Sequence, residues 1–530
     1  MNDPTIRSPF LRFSRGMIAC ILASLLAACG GGGSSAPVVS ATSGAGGAIN
    51  ALNVIPEVDS INGVATLTLT AKFDATGRPA FFYNGQKTAP TIRVQPGDSI
   101  HLEFINQLPQ FCAAGVQTDS NLHFHGLNSA PVQPGDEVIT TLAAPGNTLN
   151  YTVVINPDQP SGLYWYHPHP HGLSSYEVGN GMAGAIIVDG IANSVPQTAG
   201  LRERTIILGD VPNNMSFTAG EESRYRKAET IRRVQDDDSA SVACAPETNG
   251  TPMINGQSFA SIGIKPGETE LFRVVNASGH RHFNLSFDSA PMQIVAQDGV
   301  PIGEYPGAPQ SLTATNIVIP PAGRVEFLIT GKTSPISMTS LCYNAGPAGD
   351  ANPQVVLGAL VNDSNWPASL QTAVKRVPAA AKGLRRSLYY ATSMPAPSAQ
   401  RTIRFSEDAN GFYLDGQAYN PSGPPSIVAH SGTTEEWTLE NDSDEVHAFH
   451  IHQTHFIVES INGQTQSNPH WLDTIDIPAQ AHGVQGQVVP ATVKVLIDFR
   501  DPTIRGTFLY HCHILDHEDG GMMAKIQVIS

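Results

Sequence analysis

Ten of the 18 histidines fall into four short groups. These are His123-Phe-His125-Gly126, His167-Pro-His169, His447-Ala-Phe-His450-Ile-His452, and His511-Cys512-His513 with His517 close behind. Two groups lie early in the chain and two near its end. On a β-strand residues i and i+2 point to the same face, so each His-x-His pair can aim two imidazoles at one metal or at adjacent metals. Four such pairs supply more imidazoles than a zinc ion takes and suit a cluster of about three metals. Cys512 sits between His511 and His513 and must point the opposite way on a strand. Its thiolate therefore serves a different metal from the one its neighbours face. A cysteine with two histidines and a weak axial methionine describes a copper site that transfers electrons, and His447, His517 and Met522 are at hand for it.

The elements that position these groups repeat. Asn84-Gly-Gln86 precedes Pro96-Gly-Asp98, an alternating strand Ile100–Ile105 and Asn106. Asn255-Gly-Gln257 precedes Pro266-Gly-Glu268, Leu271–Val275 and Asn276. Asp415-Gly-Gln417 precedes Ser431-Gly432, Glu436–Leu439 and Asn441. Each copy reads as a strand, a glycine turn and a strand of period two. The interval between copies is that of a whole domain and too long for a solenoid. With Gly 49, Pro 40 and only 14% charged residues, the chain is predicted to be all-β, with three β-sandwich domains at about 51–195, 196–370 and 395–530. Residues 371–394 are predicted to link the last two, with Pro378–Arg386 exposed. The net charge of -16 argues against a polyanion such as nucleic acid as partner.

The four groups, in this order, resemble the three-domain multicopper oxidases: laccases, bilirubin oxidases and copper-efflux oxidases. The segment His511-Cys-His-Ile-Leu-Asp-His517-Glu-Asp-Gly-Gly-Met522-Met523 is the most specific part. The third group departs slightly, with Ala448 where many members carry proline. The resemblance implies three Greek-key cupredoxin-like β-sandwiches holding four coppers. It implies type 1 copper on His447, Cys512, His517 and axial Met522, and type 2 copper on His123 and His450. The type 3 pair would rest on His125, His167 and His513 for one ion and on His169, His452 and His511 for the other. The implied reaction passes single electrons from a donor through Cys512 to His511 and His513, and four of them reduce dioxygen to two waters. Asp136 and Glu518 resemble the acidic proton relays of the family. The second domain is expected to act as a spacer and a wall of the donor approach.

Copper-efflux oxidases typically carry a methionine-rich insertion. The ten methionines here form no such cluster, which favours a laccase-like oxidase of phenols or aromatic amines over one of Cu(I) or Mn(II). A copper-sequestering protein without turnover would need only some of these ligands, and a pure electron carrier only one domain.

Arg7, Arg12 and Arg15, the apolar run Met17–Leu26 and Leu26-Ala-Ala-Cys29 read as an export signal over 1–28, with a lipobox-like end that would place a lipid on Cys29. An ordinary secretory cleavage after Ala27 or Ala28 is the rival. Residues 29–50 read as a flexible Gly/Ser/Ala tether. Export to the periplasm, with anchoring at the outer membrane through Cys29, is the expectation. Of the other cysteines, Cys112, Cys244 and Cys342 can form at most one disulfide among them. His171, His455, Tyr166, His280, His282, Met182 and Met523 match no ligand position and are expected to pack or hydrogen-bond.

Overall fold

In a computed structural model the described residues are 49–111, 117–212, 250–367, 374–380, 389–483 and 487–530. The expected signal and Cys29, Cys112 and Cys244 lie outside them, as do most of the tether and residues 381–386. No helix among the described residues is long and apolar enough to cross a membrane.

The three turn motifs form as their chemistry dictates. Asn84 and Gly85, Asn255 and Gly256, and Asp415 and Gly416 all take positive φ, between 47° and 76°. Two such residues in succession make the tight turn whose twist matches paired strands, and Asn, Asp and Gly tolerate it best. Each turn follows a long strand that runs parallel to the alternating strand beyond it: Val64–Phe73 beside Ser99–Asn106, Arg202–Pro212 beside Thr269–Asn276, and Ala399–Asp408 beside Thr433–Asn441. A second sheet closes each unit. The three second sheets share a four-strand order, in which a short strand lies parallel to the unit's last strand: Thr91–Val94 with Gly184–Val188, Ala260–Gly263 with Val355–Val361, and Ile427–His430 with Met523–Ile529.

Between the two sheets of each unit lies one apolar core. Val64–Phe73 alternates buried and exposed residues, as a strand with one wet face must. Phe104, Phe272 and Trp437 are fully buried in the first, second and third cores. Truncating any of them to alanine is expected to cost about 3–5 kcal/mol. The asparagine that ends each alternating strand closes the following loop. Asn106, Asn276 and Asn441 each donate to two or more carbonyls across it and accept a backbone N–H two residues on.

The predicted linker is only partly exposed. Pro378–Ala380 face solvent, but Val377 is buried and exchanges backbone bonds with Gly200 and Leu201. Tyr390 is buried too, its hydroxyl donating to Asn128. Val377 and Tyr390, on either side of 381–388, each enter an apolar cluster, which holds those ends against the sandwiches.

Candidate metal centre

The strand Gly506–Cys512 is the axis of the site. It pairs antiparallel with His447–Ile451, setting Phe449 opposite Cys512 and His450 opposite His511. In the first unit His123–His125 pairs with Gly162–His167, setting His123 opposite His167. A short helix, Leu515–Asp519, follows the axis strand and turns His517 back toward Cys512. That helix is tied to the first unit by Asp519, whose carboxylate accepts the backbone N–H groups of Gly172 and Ser175.

One pocket lies on the cysteine side. Cys512 Sγ is 3.7 Å from Nδ1 of both His447 and His517, and the two Nδ1 atoms are 3.2 Å apart. The far nitrogens are held as well: His447 Nε2 lies 2.8 Å from Ser443 Oγ, and His517 Nε2 lies 3.0 Å from Glu445. Met522 is buried in the same apolar core as Cys512, and its carbonyl accepts the Cys512 N–H. His447 is wholly enclosed, whereas His517 is 6% exposed. The His517 edge is thus the part of this pocket nearest solvent.

The other eight imidazoles gather on the opposite side, every one buried. Nε2 of His511 lies 3.3 Å from that of His169 and 3.1 Å from that of His452. His123 Nε2, His125 Nδ1, His167 Nε2, His450 Nε2 and both nitrogens of His513 have no hydrogen-bond partner. Leaving a buried polar atom unpaired costs about 1–3 kcal/mol, so this many orphans in one place need a ligand. Burial drives the pKa of His123, His125, His167, His169, His447, His450, His452 and His513 below the usual imidazole value. Neutral rings with free lone pairs are what a metal requires. Three buried triads, His123/His450/His452, His123/His125/His167 and His169/His452/His511, have donor atoms within reach of one ion, as does His447/Cys512/His517. The residues fit copper: two histidines and a thiolate in one pocket, imidazoles alone in the other.

The outward nitrogens of these rings face buried acids and a carbonyl. His123 Nδ1 is 3.0 Å from Asp136, which is buried and also accepts from Gln453 and the Phe124 N–H. His511 Nδ1 is 3.1 Å and His169 Nδ1 3.6 Å from Glu518. His125 Nε2 is 3.3 Å from Asp473, and the Asp473 carbonyl is 2.8 Å from His450 Nδ1. Burial pushes the Asp136 carboxyl up to about 7. Burial would raise Glu518 too, but His169 and His511 hold it well below the carboxylate range. Asp473, Ser443 and Glu445 were not anticipated. Their sequence signal is a lone acid in the apolar run Trp471-Leu-Asp473 and a loop that opens with Asn441-Asp-Ser443.

The residues set aside do pack or bond. His455 Nδ1 lies 2.7 Å from the Tyr390 hydroxyl and its Nε2 3.1 Å from the Asp298 carbonyl, while Tyr166 donates to the Pro90 carbonyl. His171 lies edge-on to Tyr419. Met182 and Met523 are buried among apolar side chains. His280 lies 3.5 Å from Asp210. His282 stacks on Tyr343 and lies 3.0 Å from Asp476, on the strand paired with His447–Ile451. Cys342 is disulfide-bonded, and its partner lies outside the described residues.

A β-sandwich trio enclosing a cysteine–histidine pocket beside eight imidazoles defines a copper-holding redox protein, and comparison with known proteins agrees. Three family models, each described as multicopper oxidase, match residues 66–193, 216–349 and 391–530. The chain is 23% identical to multicopper oxidase mco of Staphylococcus aureus, covering 89% of this chain and 90% of that protein. It is 25% identical to the laccase of Bacillus subtilis, covering 84% and 89% respectively. The solved structure of a multicopper oxidase from Campylobacter jejuni, titled a metallo-oxidase, superposes with a TM-score of 0.66 at 22% identity, over 91% of this chain and 95% of that one. The chain belongs to the multicopper oxidase family. It is an oxygen-using oxidoreductase with copper as its cofactor, and four coppers are standard in the family.

Proposed function

We propose that the chain takes single electrons from a small donor at the His517 edge and delivers them to the eight-imidazole site, where dioxygen is reduced to water. The observation that carries this reading is the axis strand: Cys512 faces one pocket while its covalent neighbours His511 and His513 belong to the other. Type 1 copper would rest on His447, Cys512, His517 and Met522, type 2 on His123 and His450. The type 3 pair would rest on His125, His167 and His513, and on His169, His452 and His511. Bound copper supplies the one-electron redox steps and the binding of oxygen. Two of the chain's own acids flank the site: Asp136, raised by burial to about 7, would hold a proton near neutral pH beside His123, and Glu518 would stay ionised beside His169 and His511.

Phenols and aromatic amines are the proposed donors. The likeness to a laccase and the scattered methionines support this. A second reading, oxidation of a metal cation such as Cu(I) or Mn(II), is favoured by Glu445, whose carboxylate caps the most exposed edge of the cysteine pocket. Export, with a lipid on Cys29 holding the protein at the outer membrane, also stands as a proposal, resting on the sequence of 1–29. The test is oxygen uptake by copper-loaded protein with dimethoxyphenol and with Cu(I), beside Cys512→Ser. Uptake with the phenol and a dead control is expected. Uptake with Cu(I) alone moves the donor class to metal ions. No uptake with either donor, in protein with full copper occupancy and the blue band, overturns the oxidase reading in favour of copper sequestration.

A further inference from the structure

We propose that Arg324, from the unit that carries no histidine group, is a positioning residue for the oxygen site and acts through Asp473. Its guanidinium grips that carboxylate with both arms, Nη1 to Oδ1 at 2.6 Å and Nη2 to Oδ2 at 2.5 Å. Neither side chain has any exposed surface. Asp473 in turn touches two rings from different units: its Oδ1 accepts from His125 Nε2–H at 3.3 Å, and its carbonyl accepts from His450 Nδ1–H at 2.8 Å. With Nε2–H committed to the carboxylate, His125 must present Nδ1 to the interior. That is the atom left without a protein partner. A single hydrogen bond would let the carboxylate swivel; the planar fork fixes its plane and therefore the His125 ring.

The second unit holds the backbone of Asp473 as firmly as its side chain. Asp298 Oδ2 accepts the N–H groups of Asp473 and Thr474, both at 3.2 Å, and its Oδ1 accepts the Arg324 N–H at 2.9 Å. Arg324 Nε reaches the Leu163 carbonyl of the first unit at 3.4 Å, on the strand that ends in His167. Gly126 adds an independent sign that this clamp is built into the site. It follows His125 directly, has φ +86°, and a Cβ there would collide with Arg324 Nη2, Asp473 Oδ2 and Tyr164. The glycine of His123-Phe-His125-Gly126 thus leaves room for the clamp. The repeat expected to be a spacer supplies one arm of the site.

The inference rests on reading the eight imidazoles as one copper-holding site, and the test separates the two. Full-length Arg324→Met, Arg324→Lys and Asp473→Asn proteins are loaded with copper. Copper per chain, the blue absorption at Cys512, the type 2 electron paramagnetic resonance and the near-ultraviolet band of the coupled pair are then recorded. Retained blue absorption reports an intact third unit. The expected result is loss of copper and altered type 2 and near-ultraviolet signals, with oxygen uptake lowered roughly ten- to a hundred-fold. Arg324→Lys, which keeps the charge but not the fork, should fall between wild type and Arg324→Met. If Arg324→Met loses the blue band as well, Arg324→Lys and Asp473→Asn decide by the same spectra. Wild-type copper content and spectra in the folded variants, or a lowered melting temperature alone, overturn the proposal. A wild-type protein that takes up no oxygen defeats the oxidase reading while the spectra still judge the clamp.

Discussion

Among the described residues the second and third units fold alike strand for strand, yet only the third holds a cysteine pocket. Their registers align through equivalent loops: Asn276 bonds to the Ile319 carbonyl and Asn441 to that of Ile477. Ile319 pairs with Phe283 and Ile477 with His447. Continuing along the strands, Leu285 faces Ser340 where Phe449 faces Cys512, and Ser286 faces Thr339 where His450 faces His511. Phe283 and Leu285 join the apolar core of the second unit. The comparison teaches that the scaffold is indifferent to copper. A few side chains on two paired strands decide whether its interior is oil or metal, and the unit without metal is free to brace its neighbours through Arg324 and Asp298.

Four changes would break or sharpen that contrast. The largest effect is expected of Cys512→Ser, which gives the third unit the residue of the second at this register. Blue absorption should vanish and oxygen uptake fall to background while circular dichroism stays that of a folded β protein. Survival of oxygen uptake in this variant would refute the electron route through Cys512. Next, Gly126→Ala should cost roughly 1–2 kcal/mol from its backbone conformation and about 1–3 kcal/mol from overpacking against Arg324 and Asp473. Urea titration measures this, and a neutral result would mean the clamp yields easily.

A smaller effect is expected at the donor edge. Glu445→Gln should raise KM for Cu(I) roughly ten-fold, the worth of one charge-assisted contact, and leave the phenol nearly unchanged. An equal loss with both donors would instead assign Glu445 to orienting His517. The last change bears on the pH dependence of stability. Burial raises Glu177 from 4.5 to about 8 although Ser120 donates to it. The folded chain therefore holds a proton that the unfolded chain gives up. This contribution is fully present below pH 4.5 and is lost as pH rises to about 8, at no more than about 1.4 kcal/mol per pH unit. Glu177→Gln should flatten that slope in urea titrations of the copper-free protein; an unchanged slope would place the titrating group elsewhere.

Much of this protein was decided locally and could be read from the chain. Asn84-Gly85, Asn255-Gly256 and Asp415-Gly416 force their turns because few residues accept positive φ, and period-two alternation then fixes which face is buried. The same period puts His511 and His513 on one side and Cys512 on the other before any fold is known. What no local rule contains is which far residues meet those side chains. Asp473 and Arg324 are 149 residues apart, and His125 and Asp473 are 348 apart. A lone arginine after Pro320-Pro-Ala-Gly323 or a lone aspartate after Trp471-Leu472 looks like any polar residue at a strand end. Such groups lose their water only when three sandwiches close on one another, and only then must each buried charge and each imidazole nitrogen find its partner. The chain alone carries the metal-binding alphabet and the repeated frame; only the tertiary structure settles which ring nitrogens face inward, the acids behind the rings, and the part the second unit takes in holding them.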